Sequence, residues 1–182
     1  MTRVVAVSGS RRSGSYTKLA LEHALDAAAD AGAETGMIDL GAVDLPLYHP
    51  DVDADEQGEA TDLLRRVREA DGVLLGSPVY HGSYSSTFRN FHDYCGFDEY
   101  EETVVGLLAV AGGGSYGSTL DHMRITVRGV HGHVIPHQVG IRRGSERFDA
   151  DGEFVDPALA DRVEKLGREV VAHARAWPVL RK

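Results

Sequence analysis

The stretch Val4-Val5-Ala6-Val7-Ser8-Gly9-Ser10-Arg11-Arg12-Ser13-Gly14-Ser15-Tyr16-Thr17-Lys18-Leu19-Ala20 decides how the chain folds. It begins as a short apolar run, passes through a loop of glycine, serine and arginine, and continues directly in a helical pattern. Such a layout favours the capture of a small dianion, because the N–H groups and the dipole of the helix both point at the loop. Residues 1–21 contain no acidic side chain in a chain of net charge −9, so we expect an anionic ligand at this loop.

Composition and charge limit the class of protein. The 182 residues are 42% apolar, which predicts one globular domain over residues 1–182. No apolar stretch is long enough for a membrane-spanning helix, so we expect no membrane insertion. Asp and Glu total 28 against 19 Lys and Arg, which argues against nucleic acid as a partner. The single cysteine, Cys95, and the lack of a signal-peptide pattern lead us to expect a cytoplasmic protein.

Strand and helix patterns alternate along the chain. Short apolar runs predict strands at Arg3–Val7, Glu34–Leu40, Gly72–Gly76, Thr103–Ala111 and His133–Val139. Helical spacing predicts helices at Ser15–Asp30, Gln57–Ala70, Thr87–Cys95, Ser118–Val130 and Pro157–Ala176. The polar segment Gly140–Phe154 predicts a mobile loop. The alternation predicts an α/β fold, a doubly wound sheet of five parallel strands in the order 2-1-3-4-5 with helices on both faces.

In that topology, the loops after strands 1, 3 and 4 converge at the carboxyl edge of the sheet. The first loop offers several hydroxyl groups, two glycines and two arginines within ten residues. Its Gly9 and Gly14 have the spacing of a P-loop, but Ser15 stands where a nucleotide triphosphatase needs lysine. The dinucleotide pattern Gly-x-Gly-x-x-Gly is also absent from the loop. We therefore expect a terminal monophosphate at this site.

The other two loops predict where the rest of such a ligand lies. Ser77–Ser83 joins Pro78 to Tyr80 and His81, which form one wall for a flat heterocycle. Gly112–Gly117 is almost bare backbone, so its N–H groups can approach the edge of a pyrimidine-like ring. A phosphate loop, an aromatic and proline wall and a glycine edge together describe a site for flavin mononucleotide (FMN).

The chain resembles the NAD(P)H-dependent FMN reductase family, which has a flavodoxin-like fold. That family carries Gly-Ser-x-Arg-x-x-Ser, an aromatic residue and Asn after strand 1, matched here by Gly9–Thr17 with Arg12 as the family arginine. After strand 3 it has Ser-Pro-Glu-Tyr-Asn and then Lys-Asn, matched here by Ser77–His81 and Arg89-Asn90. The glycine loop and Met123-Arg124 are similar as well.

The resemblance implies a set of cofactor-binding residues: Ser10, Arg12, Ser15, Tyr16, Thr17, Pro78, Val79, Tyr80, His81, Gly82, Gly112, Gly113 and Gly114. Three of them depart from the family pattern. Thr17 replaces Asn but keeps a hydroxyl for the phosphate, Val79 replaces Glu, and His81 replaces Asn. Since the last two flank the flavin, they bear on substrate preference and redox potential.

By resemblance, the chain is an enzyme in which NADPH or NADH gives hydride to bound FMN, and a small electron acceptor then replaces the oxidised nicotinamide. The acceptor classes are quinones, azo or nitro compounds, metal oxyanions and free flavin. No side chain is needed as an acid or base, and His81 is the candidate proton donor near the ring. The family forms homodimers or homotetramers, for which the aromatic residues of the 88–100 stretch are a candidate contact.

Two alternative functions remain at this point, and a metal site is also considered. Gly113–Gly117 matches the Gly-x-Ser-x-Gly elbow of serine hydrolases, with Ser115 as nucleophile, Asp149 or Asp151 as acid and His173 as base. A non-catalytic electron carrier of the flavodoxin type would also bind FMN. His131, His133 and His137 share one strand parity, but Gly132 and Pro136 interrupt them, and we expect no metal site.

Overall fold

Five parallel strands form a sheet in the order β2-β1-β3-β4-β5. The computed structural model describes residues 1–180, and its strands are β1 (Arg3–Ser8), β2 (Glu34–Asp39), β3 (Gly72–Pro78), β4 (Val104–Ala111) and β5 (His133–Arg142). The predicted strand order and the parallel direction of every pair are confirmed. The inner strands β1, β3 and β4 are buried on both faces, which is why their sequences are nearly continuous apolar runs.

Helices cover both faces of this sheet, as predicted. They are α1 (Tyr16–Asp30), α2 (Ala60–Arg68), α3 (Ser86–Tyr94), α4 (Phe97–Tyr100), α5 (Gly117–Gly129) and α6 (Pro157–Leu180). Val4 faces the core beneath α1 and α6, and its neighbour Val5 faces the core beneath α2, α3 and α5, because successive strand side chains alternate. The helices α1 and α6 pack closely at Gly167, where a side chain would collide with the backbone carbonyl of Ala24.

Two parts of the fold differ from the sequence prediction. The short helix α4 was not predicted, and it buries Tyr100 beside α3. The predicted loop over Gly140–Phe154 is wrong in its bounds, and the segment is attached to the fold. Its first residues belong to β5, and the rest is anchored where Phe148 packs into the core at 8% exposure and pairs with Phe154. Those aromatic residues bury apolar area that outweighs the polar composition of the segment.

Candidate active site

A cleft opens at the carboxyl ends of β1, β3 and β4, at the point in the sheet where the strand order reverses. It has a volume of about 230 Å³. Nine of the predicted cofactor residues line it: Ser10, Arg12, Ser15, Tyr16, Thr17, Pro78, Val79, Tyr80 and Gly112. The other four, His81, Gly82, Gly113 and Gly114, lie outside the lining but beside it in sequence.

One end of the cleft is the N-terminus of α1. Ser15 caps this helix, because its Oγ accepts the N–H of Lys18 at 3.2 Å. The hydroxyl of Ser10 accepts the N–H of Arg12 at 3.3 Å, which turns the loop toward the helix. Ser10, Ser15 and Thr17 are all buried, and the first-turn N–H groups have no intrahelical acceptor. The arrangement gathers hydroxyl and N–H groups at the positive end of a helix dipole.

Arg12 is the cation of this end. It is exposed and forms no ion pair with any described residue. Lys18 is directed elsewhere, since its Nζ contacts Asp39 Oδ2 at 2.9 Å, and this hydrogen bond raises the pKa of Lys18. Arg11 lines a different groove, beside Leu40 and Leu47. Only Arg12 among the basic residues of the loop therefore remains available to an anion in the cleft.

Gly9 fixes the position of the loop. Its N–H donates to the carbonyl of Gly76 at 2.8 Å, and its own carbonyl accepts from Ser85 Oγ at 2.6 Å. A Cβ at Gly9 would lie 2.8 Å from the Cβ of Phe88 on α3, so the backbone must be bare at this point. The loop is thus anchored between β3 and the start of α3, which keeps Ser10 and Arg12 at the mouth of the cleft.

A tight hairpin forms the facing wall. The N–H of Tyr80 donates to the carbonyl of Ser83 at 2.9 Å, and the N–H of Ser83 donates back to Tyr80 at 3.0 Å. His81 and Gly82 have positive φ values of 50° and 76°, as in a type I′ turn. Asn and His tolerate this conformation better than most residues, which explains why His81 can replace the family's Asn. Because of the turn, Tyr80 rather than His81 lines the cleft.

The glycine loop contributes less than expected. Gly112 lines the cleft, while Gly113 and Gly114 are exposed and have open space around them. The Gly113 carbonyl accepts from the Arg142 guanidinium at 3.4 Å, at the limit of a hydrogen bond. These three residues therefore present accessible backbone groups, and Gly112 is the one of them that lines the cleft.

Four lining residues were not predicted: Val110, Ala111, Gly144 and Ser145. The first two end β4, where the apolar pattern of the sequence predicts a strand. Gly144 packs closely, since a Cβ there would lie 2.7 Å from Val110 Cγ1 and 3.3 Å from Tyr16 Cβ. The ring of Tyr16 also stacks on Phe148, with centroids 5.7 Å apart. Phe148 and Phe154 are the two aromatic residues of the otherwise polar segment after β5. Their presence was the signal in the sequence that this segment packs back against the site.

The chemistry of the cleft residues fits FMN. None of the described residues that line it is acidic, and one end combines three hydroxyls, a helix N-terminus and Arg12, a donor set for a phosphate dianion. The opposite wall is the slab Pro78-Val79-Tyr80, which suits a flat ring system, and Gly112 supplies backbone at its edge. The distribution of polar groups over a mostly apolar cleft is typical of cofactor sites.

The geometry does not favour a serine hydrolase. Ser115 Oγ accepts the N–H of Gly117 at 3.3 Å, and Asp149 accepts N–H groups of its own loop. The proposed base, His173, lies by His133 at the start of β5, with ring centroids 6.2 Å apart. Ser115 follows the end of β4, and a strand of eight residues spans about 26 Å. The nucleophile and the base are therefore at opposite ends of the sheet.

The three histidines considered for a metal have different neighbours. His131 contacts Glu101 at 3.4 Å, His133 stacks on Trp177 at 3.9 Å, and His137 Nε2 lies 2.9 Å from a backbone carbonyl of α6. In the part of the chain that the structure describes, no three potential ligands come together. Nor does any helix there have the length and apolarity needed to cross a membrane.

The aromatic residues considered for a subunit contact lie mostly in the core, so that prediction is wrong for four of the five. Phe88, Phe91 and Tyr100 are fully buried, and Tyr94 is 9% exposed. Phe97, at 52% exposure, is the member of the set that stays at the surface. The helical spacing that brought these residues together in sequence directs them at the sheet.

Reductases are among the proteins of similar sequence. Residues 2–146 match the NADPH-dependent FMN reductase family. An NADPH azoreductase of Bacillus sp. (strain OY1-2) is 32% identical over 90% of this chain and 90% of its own length. An FMN-dependent NADPH-azoreductase of Staphylococcus aureus (strain USA300) is 31% identical over 63% of this chain and 61% of its own length.

Solved structures agree on the fold. A flavoenzyme NAD(P)H:(acceptor) oxidoreductase from Paracoccus denitrificans superposes with a TM-score of 0.79 at 20% identity, over 96% of this chain and 98% of that one. The apo form of an NADH:FMN oxidoreductase gives 0.71 at 18% identity, over 93% and 90%. The flavodoxin-like fold is thereby confirmed. The family match over residues 2–146 and the relative that aligns over 90% of both lengths show that this chain belongs to the NADPH-dependent FMN reductase family, whose members are oxidoreductase enzymes.

Proposed function

We propose that the chain binds FMN in the cleft and transfers hydride from NAD(P)H to a small acceptor in a ping-pong cycle. The observation that carries the proposal is the cleft itself, where an acid-free phosphate site and an apolar slab face each other at the carboxyl edge of the sheet. A serine hydrolase would need a nucleophile and base within hydrogen-bond reach, and the Ser115 hydroxyl forms a hydrogen bond with the N–H of Gly117 and with no acidic or basic side chain of the described residues.

The α1 end of the cleft holds the phosphate of FMN. The hydroxyls of Ser10, Ser15 and Thr17 and the first-turn N–H groups donate to its oxygens, and Arg12 neutralises its charge. The burial of these hydroxyls excludes water, so each bond contributes more than it would at the surface. FMN binding should therefore depend on several moderate contacts rather than on a single one.

The hairpin and the glycine loop hold the ring system. Pro78, Val79 and Tyr80 form its wall, while backbone groups of Gly112, Gly113 and Gly114 lie at its edge. His81 and Gly82 shape the turn that aims Tyr80. Bound FMN supplies the hydride chemistry, and the chain's own residues position it and leave one face open to the second substrate.

We propose flat aromatic acceptors, either azo compounds or quinones, ahead of nitro compounds, metal oxyanions and free flavin. Val79 packs against the core where the family pattern has Glu, so this wall presents no carboxylate. A neutral, apolar wall suits a planar apolar acceptor that stacks on the ring. The names of the relatives, which are azoreductases, point to the same class.

We also propose that residues 1–182 form one FMN-binding domain of a cytoplasmic homodimer or homotetramer. The resemblance to the family supports the assembly, whose contact must lie outside the buried aromatic residues of α3 and α4. Light scattering of the purified protein measures the mass directly. A monomer at micromolar concentration would contradict this part.

The central test is reconstitution. Purified protein is titrated with FMN by flavin fluorescence, and initial rates of NADPH and NADH oxidation are recorded with a soluble quinone and an azo dye. We expect stoichiometric FMN binding and parallel double-reciprocal plots, which indicate a ping-pong cycle. Tight FMN binding without turnover would leave an electron carrier of the flavodoxin type, and failure to bind FMN would overturn the proposal.

His81 is proposed as the proton donor to the reduced acceptor. His81→Asn restores the residue of the family pattern and suits the positive φ of 50°, so the hairpin should be preserved. We expect unchanged FMN affinity, slower turnover and an altered dependence of kcat on pH. The same kcat and pH profile as the wild type would show that His81 serves only the turn.

A further inference from the structure

A second groove lies along the free edge of β5, next to the flavin cleft. It is formed by that strand, the segment that follows it and the start of α6, and its volume is about 230 Å³. Three of its lining residues are the arginines Arg142, Arg147 and Arg162, whereas Asp156 is the one acidic residue of the lining. The Tyr116 ring lies against Gly140 so closely that no Cβ fits there, and it forms the apolar wall.

The charge of this groove is not balanced within the described part of the chain. None of the three arginines forms an ion pair there, although nearby Arg143 pairs with Glu146 and Arg168 with Glu164. The Asp156 carboxylate is engaged with the backbone, since it accepts the N–H of Ala158 at 3.0 Å at the start of α6. In a chain of net charge −9, a groove with three cations and one engaged acid attracts an anion.

Two of the arginines, Arg142 and Arg147, are also held in place by backbone contacts. Arg147 Nε donates to the carbonyl of Arg142 at 3.0 Å, which leaves its terminal nitrogens available. The Arg142 guanidinium reaches the carbonyl of Gly113 at 3.4 Å. Guanidinium groups bind phosphates through a planar fork of donors, so arginines that line one groove can together contact the oxygens of a phosphate dianion.

The groove is continuous with the flavin cleft. In the register of β4 and β5, Ala111 of the cleft is paired with Arg142 of the groove. In the sequence, Arg142 and Arg147 flank Gly144 and Ser145, which line the cleft. An elongated ligand with one end in the cleft can therefore place its other end in the groove.

We propose that this groove binds the 2′-phosphate of NADPH while the nicotinamide occupies the cleft, and that it makes the enzyme prefer NADPH to NADH. The inference rests on the proposed function, which supplies the need for a nicotinamide in the cleft. NADH has a hydroxyl in place of this phosphate, so the arginines gain a charge-assisted contact only with NADPH. Tyr116 forms the apolar wall beside the adenosine.

The experiment uses Arg147→Ala and Arg162→Ala, with Arg168→Ala as the matched control. Arg168 is a surface residue of the same helix as Arg162, six residues further on, so it removes the same charge about 9 Å along the axis. Arg142 is left intact because it contacts the glycine loop. Arg162 makes no described side-chain hydrogen bond, so its variant keeps the test valid even if Arg147→Ala loosens the segment.

Two readouts are recorded. The first is calorimetric binding of adenosine 2′,5′-bisphosphate and of AMP to the purified protein, which requires no flavin turnover. We expect the bisphosphate to bind about tenfold or more tightly than AMP, a preference that Arg147→Ala and Arg162→Ala remove and Arg168→Ala keeps. The second is the ratio of kcat/KM for NADPH to that for NADH, which should fall about tenfold in each groove variant.

The outcomes separate the two proposals. If the wild-type protein does not bind FMN, or oxidises neither NADPH nor NADH, the proposed function is overturned. The calorimetric measurement still tests the groove in that case. Equal binding of bisphosphate and AMP, or equal losses for NADPH and NADH, would overturn the groove proposal. A third result would also overturn it: groove variants that lower kcat/KM for free FMN as the acceptor but not for an uncharged quinone. The groove would then bind the phosphate of the acceptor.

Discussion

Replacing Thr17 by valine separates binding from folding at the phosphate end of the cleft. Thr17 is 2% exposed, and its methyl group faces β3, since a Cβ at Gly76 would lie 3.1 Å from it. Thr17 lines the cleft, and no side-chain hydrogen bond joins its hydroxyl to a described residue. Valine keeps the shape and the methyl group and removes only the hydroxyl, so the free energy of unfolding should be nearly unchanged.

The expected loss in FMN affinity follows from the bond that is removed. A hydrogen bond to a charged group contributes about 1.5–3 kcal/mol, which corresponds to a rise in Kd of about ten- to hundredfold. Fluorescence titration with FMN measures this Kd, and urea denaturation of the flavin-free protein measures stability. Thr17→Val should raise the Kd for FMN and leave the free energy of unfolding unchanged.

Ser15→Ala is the contrasting variant. It removes a cleft hydroxyl and also the cap that accepts the Lys18 N–H, so it should weaken FMN and in addition destabilise the apoprotein by about 1 kcal/mol. An unchanged FMN Kd in Thr17→Val would refute the assignment of the phosphate to the first turn of α1. A loss of stability equal to that of Ser15→Ala would show that the hydroxyl has a structural role.

Two further predictions concern the fold around the site. Gly9→Ala should destabilise the protein by about 2 kcal/mol, because the new Cβ would lie 2.8 Å from the fixed Cβ of Phe88; an unchanged urea midpoint would contradict this close approach. His92 is 6% exposed, its Nδ1 has no partner among the described residues, and burial lowers its pKa below the ordinary 6.5. The folded state therefore resists protonation, and the wild type should lose stability as pH falls below about 6.5, by at most about 1.4 kcal/mol per pH unit. His92→Leu should reduce this pH dependence of the unfolding free energy between pH 7.5 and 5.5, and identical pH profiles for the two proteins would contradict the role of His92.

The fold was predictable from the sequence where burial is continuous. The runs that became β1, β3 and β4 are apolar on both faces, and only a central parallel strand has that environment. The segment after β5 was mispredicted because most of its residues are polar. Phe148 and Phe154 are six residues apart in the sequence. Their rings become neighbours only when the segment folds back, with centroids 4.4 Å apart.

The site was predictable to the extent that glycine, serine and arginine cluster in one loop. Val110 could not be distinguished from other strand residues, since only the register and the end of β4 bring it to the cleft. His81 illustrates the opposite case. Its chemistry suggested the pocket, whereas the backbone geometry of a two-residue turn places the side chain outside the lining.

The walls of the cleft come from segments that follow β1, β3, β4 and β5, so no fragment of the chain contains the site. The consequence is thermodynamic: a ligand that bridges these segments binds the native chain and not the unfolded one. At a free FMN concentration of 100 times Kd, this linkage adds about 2.7 kcal/mol to the free energy of unfolding. That is a large share of the 5–15 kcal/mol typical of a native protein. The amount of folded enzyme in a cell should therefore rise and fall with the flavin supply.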